Sequence, residues 1–277
     1  MTKFHDKEFF RWWSFAYFFG GALFFMATPG FTQNIKMQAF NELKSSGAKP
    51  QVIGADPADP KKWPATFIFR NSNGGGCTAT AVGRQVIITA AHCIDDGAKG
   101  TVSVGSLTAD VVCNHHPGYP GDISADFALC FLNKGLPKLG DGFERVNITD
   151  NSAPANGQDV TLLGYGCRMK GGSDQSFGEL YEGTAKVVLR PNKDLYVRTK
   201  GGAALCFGDS GGGAYNFTNP AETIRRLFGV NSRGDISTNS WISTTANKSF
   251  IDWSTAWVDK NKARVCGLGS TAEDCRQ

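Results

Sequence analysis

At 277 residues, 41% hydrophobic and 19% charged, the chain has the composition of one large globular domain or two ordinary ones, not of a disordered protein. Its formal net charge of +4 sits mostly near the start: residues 1–51 carry six Lys/Arg and three Asp/Glu, and residues 52–277 carry 23 and 22. That leaves no basic stripe to attract nucleic acid. The 34 glycines and the shortage of helix-forming runs point to an all-β fold with many turns. Eight cysteines (Cys77, Cys93, Cys113, Cys130, Cys167, Cys206, Cys266 and Cys275) form no C-x-x-C pair, which argues against a zinc site. An even count reads as disulfides made in an oxidising compartment, secreted or periplasmic. Neither a metal nor a cofactor is implied.

The chain opens with Lys3, Lys7 and Arg11, followed by the apolar run Trp12–Ala27. A positive segment before an apolar one is the pattern of a signal peptide, here residues 1–30. The alternative is an uncleaved anchor, because no charge occurs between Arg11 and Lys36. Membrane contact is expected only in that case. Residues 31–51 are polar and read as a propeptide or spacer ahead of Val52-Ile53-Gly54-Ala55.

Strands are predicted over Thr66–Arg70, Thr78–Thr89, Thr101–Val104 and Leu107–Val112. The second leads into Thr89-Ala90-Ala91-His92-Cys93. His92 follows a buried strand and adjoins a cysteine, so it is held in place, and imidazole titrates near neutrality. His115 and His116 precede the turn-rich Pro117–Gly121 and are expected to face solvent. Ser124–Cys130 places Asp126 at the head of an apolar strand, where a carboxylate needs a partner. It either caps the strand through backbone bonds or orients His92.

Residues 135–158 are rich in Gly, Asn, Asp and Pro without periodicity and read as an interdomain connection. It divides the remainder into units over 52–146 and 147–277. Further strands are predicted over Val160–Gly164, Gly183–Leu189, Leu195–Thr199, Arg226–Ser232 and Trp241–Thr245. Phe250, Trp253 and Trp257 recur at helical spacing, which predicts a C-terminal amphipathic helix against the body of the protein.

The densest chemistry lies in Cys206-Phe207-Gly208-Asp209-Ser210-Gly211-Gly212-Gly213. A serine hydroxyl attacks only with a base in reach and donors for the oxyanion it creates. Glycines let such a turn aim consecutive N–H groups at one spot. Taken alone, the run is equally a glycine-rich turn whose serine faces water.

His92, Asp126 and Ser210 occur in that order, within Thr-Ala-Ala-His-Cys, Asp-Phe-Ala-Leu and Gly-Asp-Ser-Gly-Gly. The chain therefore resembles the chymotrypsin/trypsin-like serine proteases from about Val52 to Val258, and looks closest to secreted bacterial members. The resemblance implies two antiparallel six-stranded β-barrels with a C-terminal helix. It implies Ser210 as nucleophile, His92 as base, Asp126 as orienting carboxylate, and the N–H groups of Gly208 and Ser210 as oxyanion hole. Ser232 matches the serine behind the aspartate and borders the substrate pocket. Cys77–Cys93 matches the bridge that braces the histidine loop. Cys113 and Cys130 are expected to pair. Cys206 lacks its usual partner, leaving Cys167, and Cys266–Cys275 would close a C-terminal loop.

In the family, cleavage before a segment like Val52-Ile53-Gly54-Ala55 frees an amino group that pairs with the aspartate before the nucleophile, here Asp209. Gln51 departs from a tryptic cut, so either an activating protease of other specificity cuts before Val52, or residues 31–51 are a spacer and activation works otherwise. Ala204 at the pocket base and an open Gly234 point to apolar or small P1 side chains instead of Lys or Arg. Arg233 stands in place of the usual aromatic wall, with Asp235 nearby. The expected molecule is a monomeric secreted serine endopeptidase acting on proteins or peptides. The alternative is a catalytically silent protease-like binding module.

Overall fold

The computed structural model describes residues 54–140, 142–148, 153–172, 177–192, 195–216, 225–269 and 275. The expected leader and spacer, and Val52, lie outside the described residues. The strands are, in chain order, β1 (Asp56–Pro57), β2 (Thr66–Asn71), β3 (Gly76–Gly83), β4 (Val86–Thr89), β5 (Lys99–Val104), β6 (Leu107–His115) and β7 (Ala128–Leu132). There follow β8 (Arg145–Val146), β9 (Asp159–Gly164), β10 (Tyr181–Leu189), β11 (Tyr196–Gly202), β12 (Gly213–Asn216), β13 (Arg226–Gly234) and β14 (Asn239–Thr244). One helix, α1 (Lys248–Asn261), comes last. No helix among the described residues is long and apolar enough to cross a membrane.

The strands close into two six-stranded antiparallel barrels, the fold class that the sequence implies. The first runs β2-β3-β4-β7-β6-β5 and returns to β2. The second runs β9-β10-β11-β14-β13-β12 and returns to β9. Closure gives every strand of each ring a neighbour on both sides, so neither ring has an edge strand. Inward positions carry the core: Phe67, Phe69, Ile88, Leu129 and Val102 in the first barrel, and Leu162, Val197, Phe228 and Ile242 in the second. Leu163, Tyr165, Tyr215 and Val230 of the second barrel join the first barrel's core, so the barrels meet across an apolar seam.

The ends of the described chain are exchanged between the barrels. β1 pairs with β10 of the second barrel. Helix α1 lies on the first, where Phe250 packs on Phe127 with ring centroids 4.6 Å apart and Trp257 Nε1 donates to Asn114 Oδ1 at 3.0 Å. Asn247 caps the helix by accepting from the Phe250 N–H at 2.8 Å.

Three elements differ from the sequence expectation. Thr78–Thr89 is a hairpin and not one strand: Arg84 and Gln85 turn outward between β3 and β4. Gly83 permits the turn's close packing, because any Cβ there would collide with the Arg264 carbonyl. His116 is buried, not exposed, because the start of α1 covers it. Its Nδ1 accepts from the Gly118 N–H at 3.0 Å and its Nε2 lies 3.2 Å from the Ser249 carbonyl. His115 is partly covered, with Nε2 at 2.6 Å from the Ile94 carbonyl. The third is the connection, which carries β8, paired in parallel with β13.

The aromatic contact between α1 and the residue following Asp126 sets a measurable cost. Phe250→Ala removes a fully buried ring, and the loss in urea-unfolding free energy should be about 3–5 kcal/mol. A loss within experimental error would mean that the helix does not hold this part of the first barrel.

Candidate active site

The cleft side chains are placed by the ends of barrel strands. β4 runs out into a single 3-10 turn, Ala91–Cys93, that carries His92, and Cys93 is bridged to Cys77 on β3. Asp126 precedes β7, which pairs with β4, so the two residues stand side by side. His92 Nδ1 lies 2.7 Å from Asp126 Oδ2, and the His92 backbone N–H donates to Asp126 Oδ1 at 3.0 Å. From the second barrel, Ser232 Oγ donates to Asp126 Oδ2 at 2.6 Å.

Burial pushes the His92 pKa down, but the ring keeps 36% of its side-chain surface, and the charge and hydrogen bond of Asp126 hold the pKa above its ordinary 6.5. Asp126 is 3% exposed. Burial raises its pKa, yet His92 and the Ser232 hydroxyl outweigh that and hold the carboxyl below the usual range. The Nδ1–H bond to Asp126 leaves Nε2 with the lone pair needed by a base.

Ser210 is half-buried in the turn before β12. Its carbonyl accepts from the Thr78 N–H at 2.8 Å and lies 3.7 Å from Cys93 Sγ, which brings the second-barrel turn against the histidine loop. The Ser210 hydroxyl makes no hydrogen bond to His92; such bonds commonly tighten only with substrate bound. Within the turn, the Asp209 N–H donates to the Cys206 carbonyl at 3.2 Å. The flanking N–H groups of Gly208 and Ser210 have no acceptor among the described residues. Gly208 has φ +100, and a Cβ there would lie 2.7 Å from the Phe177 ring, so only glycine fits.

Asp209 is buried under this turn. Its Oδ1 accepts from the Gly166 N–H and its Oδ2 from the Cys206 N–H, each at 2.8 Å. Gly164 and Gly166 wrap its carboxylate so closely that a Cβ on either would overlap it. Ala204 is fully buried beside Leu205, whose N–H donates to Ser240 Oγ at 2.9 Å. A Cβ at Gly234 would lie 3.2 Å from the Leu205 carbonyl, so β13 and the Ala204–Leu205 segment form adjacent walls. The Ser232 side chain is committed to Asp126.

The cysteines join as Cys77–Cys93, Cys113–Cys130, Cys167–Cys206 and Cys266–Cys275. His92 lies near both sulfurs of the first bridge, but a disulfide offers no thiolate, so that cluster is no metal site.

Two side chains that the motifs do not name complete the arrangement. Thr78 Oγ1 donates to the Gly208 carbonyl at 2.8 Å and accepts from the Tyr165 N–H at 3.0 Å. Asn231 exchanges backbone bonds with Gly211 and Gly212 while its Nδ2 donates to the Leu163 carbonyl at 2.9 Å. Their one sequence signal is position: Thr78 follows Cys77, and Asn231 precedes Ser232.

The Trypsin family model matches residues 52–253. The chain belongs to the trypsin family. A stretch of 134 residues is 24% identical to Trypsin alpha-4 of Lucilia cuprina, covering 44% of this chain and 52% of that protein. Another, of 184 residues, is 27% identical to Neutrophil elastase of Mus musculus, covering 58% of this chain and 67% of that one. The chain thus spans about half the length of the first relative. Both are animal proteins, which lends no support to a bacterial subgroup.

The packing around Asp209 can be tested by crowding it. Gly166→Ala should destabilise by about 1–3 kcal/mol, since its Cβ would sit 2.6 Å from Asp209 atoms. Gly121→Ala, with its nearest contact at 3.4 Å, should change unfolding free energy by less than about 0.5 kcal/mol. Equal costs at the two sites would show that the glycine wrap does not matter.

Proposed function

We propose that this protein is a secreted serine endopeptidase that hydrolyses peptide bonds through an acyl-enzyme. The observation that carries the reading is the continuous chain Ser232–Asp126–His92, facing a turn that offers Ser210 and two N–H donors without acceptors. Ser210 attacks the scissile carbonyl and His92 Nε2 takes its proton. The N–H groups of Gly208 and Ser210 receive the oxyanion. His92 then returns the proton to the leaving amine, and Asp126 stabilises the imidazolium. Water repeats the sequence to release the acyl group.

The buried Ala204 supplies an apolar pocket base, which favours apolar or small P1 side chains. Four disulfides fit an oxidising, extracellular setting. Activation is proposed to follow a cut before Val52, the new amino group joining Asp209. The units over 52–146 and 147–277 each then contribute one side of the cleft: His92 and Asp126 from one, Ser210 from the other.

A fluorophosphonate probe should modify Ser210 in the secreted, disulfide-bonded protein, and Ser210→Ala should abolish labelling. No labelling of the wild type overturns the reading. Because His92 must be neutral to act as base, and its pKa is raised, the labelling rate should fall as pH drops through a midpoint above 6.5. Asp126→Asn should lower turnover on the order of 10⁴-fold at neutral pH while the protein stays folded. A peptide-library digest should show cleavage after apolar or small residues; cleavage after Lys or Arg would refute the pocket assignment.

A further inference from the structure

Arg233 occupies the edge of the cleft between Ser232 and Gly234. One Nη1 donates to the Ile123 carbonyl of the first barrel at 2.9 Å and to Ser232 Oγ at 3.1 Å. The guanidinium is thereby fixed across the gap between the barrels, beside the carboxylate that orients His92. Its carbon lies 5.9 Å from the centre of the Trp241 ring, which covers one face.

This cation is half-buried, yet it forms no ion pair among the described residues. Burial pushes its pKa down from the ordinary arginine value, a sign of the desolvation it suffers. Asp126, Tyr196 and Asp122 act on it electrostatically, but neither carboxylate forms an ion pair with it among the described residues. Asp126 spends its oxygens on His92 and Ser232, and Asp122 Oδ1 accepts from the Ser124 N–H at 2.8 Å. Arg233 keeps Nε and Nη2 with no acceptor among the described residues. A guanidinium offers a planar fork of donors suited to a carboxylate, and partial desolvation makes that pairing stronger than at an open surface.

The backbone around it is also open. β13 pairs with β12 only as far as Val230, and Asn231 bonds to Gly211 and Gly212. Beyond Asn231 that edge has no strand partner among the described residues, so an extended peptide can lie along Ser232–Gly234. Gly234 adjoins Leu205 at the pocket wall, so Arg233 faces residues on the same side of the scissile bond as the pocket.

We infer that Arg233 is a specificity-determining residue that binds an acidic side chain of the peptide substrate, on the acyl side of the scissile bond and outside the P1 pocket. The inference rests on the proposed peptidase reading for its direction along the substrate. The preference should be a carboxylate effect, distinguishing Glu from the isosteric Gln.

Binding tests this without catalysis. The Ser210→Ala protein is titrated, by fluorescence polarisation, with labelled peptides that differ only by Glu or Gln at the second to fourth residues on the acyl side. The Glu peptide should bind roughly 10- to 100-fold more tightly at one of these positions. In Arg233→Gln the Glu-to-Gln ratio should fall to about one. If that variant fails to fold, the wild-type ratio should still collapse as salt is raised, with the Gln peptide's affinity little changed. Equal affinity for the two peptides, no binding of either, or a Glu preference that survives in folded Arg233→Gln overturns the inference. Failure of fluorophosphonate labelling alongside a retained Glu preference would sink the peptidase reading and leave this one standing.

Discussion

Asp126 is the group on which the cleft depends. A carboxylate this deeply buried is costly unless every oxygen is paired, and removing one donor leaves the charge stranded. Its donors come from both barrels: the His92 backbone and ring from the first, the Ser232 hydroxyl from the second. Satisfying one charge therefore fixes the imidazole tautomer, the end of β7 and the position of β13 at once. The exchange of chain ends supports the same point mechanically, since α1 of the C-terminal half packs Phe250 against Phe127, the next residue after Asp126.

A second buried carboxylate organises the opposite wall. Asp209 gathers the Gly166 and Cys206 N–H groups beneath the turn that carries Ser210. Thr78 reaches that turn from the first barrel through both its backbone and its hydroxyl. The turn is thus gripped by a threonine on one side and an aspartate on the other, and the disulfides Cys77–Cys93 and Cys167–Cys206 tie down the flanking loops. With the Asp209 N–H committed to Cys206, the amides on either side of it are the ones left to face a ligand.

The all-β class was legible because alternating strands and turn residues are local signals, and the amphipathic spacing of Phe250 and Trp257 likewise foretold α1; the two-barrel arrangement was implied only by the resemblance that the His92, Asp126 and Ser210 motifs carry. What escaped depends on distant partners. Val82-Gly83-Arg84-Gln85 sits inside a mostly apolar run, and only the approach of the Arg264 carbonyl explains why the chain turns there. His116 lies next to a turn-rich segment and reads as exposed, yet Ser249, far along the chain, covers it. β12, at four residues, is too short to announce itself, and β8, at two, is recognised by its pairing with β13. The side chains of Thr78 and Asn231 act through backbone partners more than 60 residues away, as in the Asn231–Leu163 bond at a separation of 68, so no neighbouring motif marks them.

The segment after Ser232, which forms the β13–β14 hairpin, carries no cysteine to pair with Cys206. In the resembling family, the cysteine before the nucleophile is bridged to one just after the Ser232 position. Here β13 ends at Gly234 and β14 begins at Asn239, so the loop is only Asp235–Thr238. Asp235 organises it by accepting from the N–H groups of Ser237, Thr238 and Asn239 at 3.0, 2.7 and 2.9 Å. Burial would raise the Asp235 pKa, but these bonds and the Asn239 amide hold the carboxyl well below the usual range. None of the residues Asp235–Thr238 is a cysteine that could bridge Cys206. Cys167 does so from the loop after β9, where the Cys167 N–H also donates to the Phe207 carbonyl at 2.8 Å. The bridge therefore ties the serine turn to the Gly164–Gly166 wrap around Asp209. The support beneath the Ser210 turn thus combines a covalent tie at Cys206 with the Cys206 N–H bond to the Asp209 carboxylate.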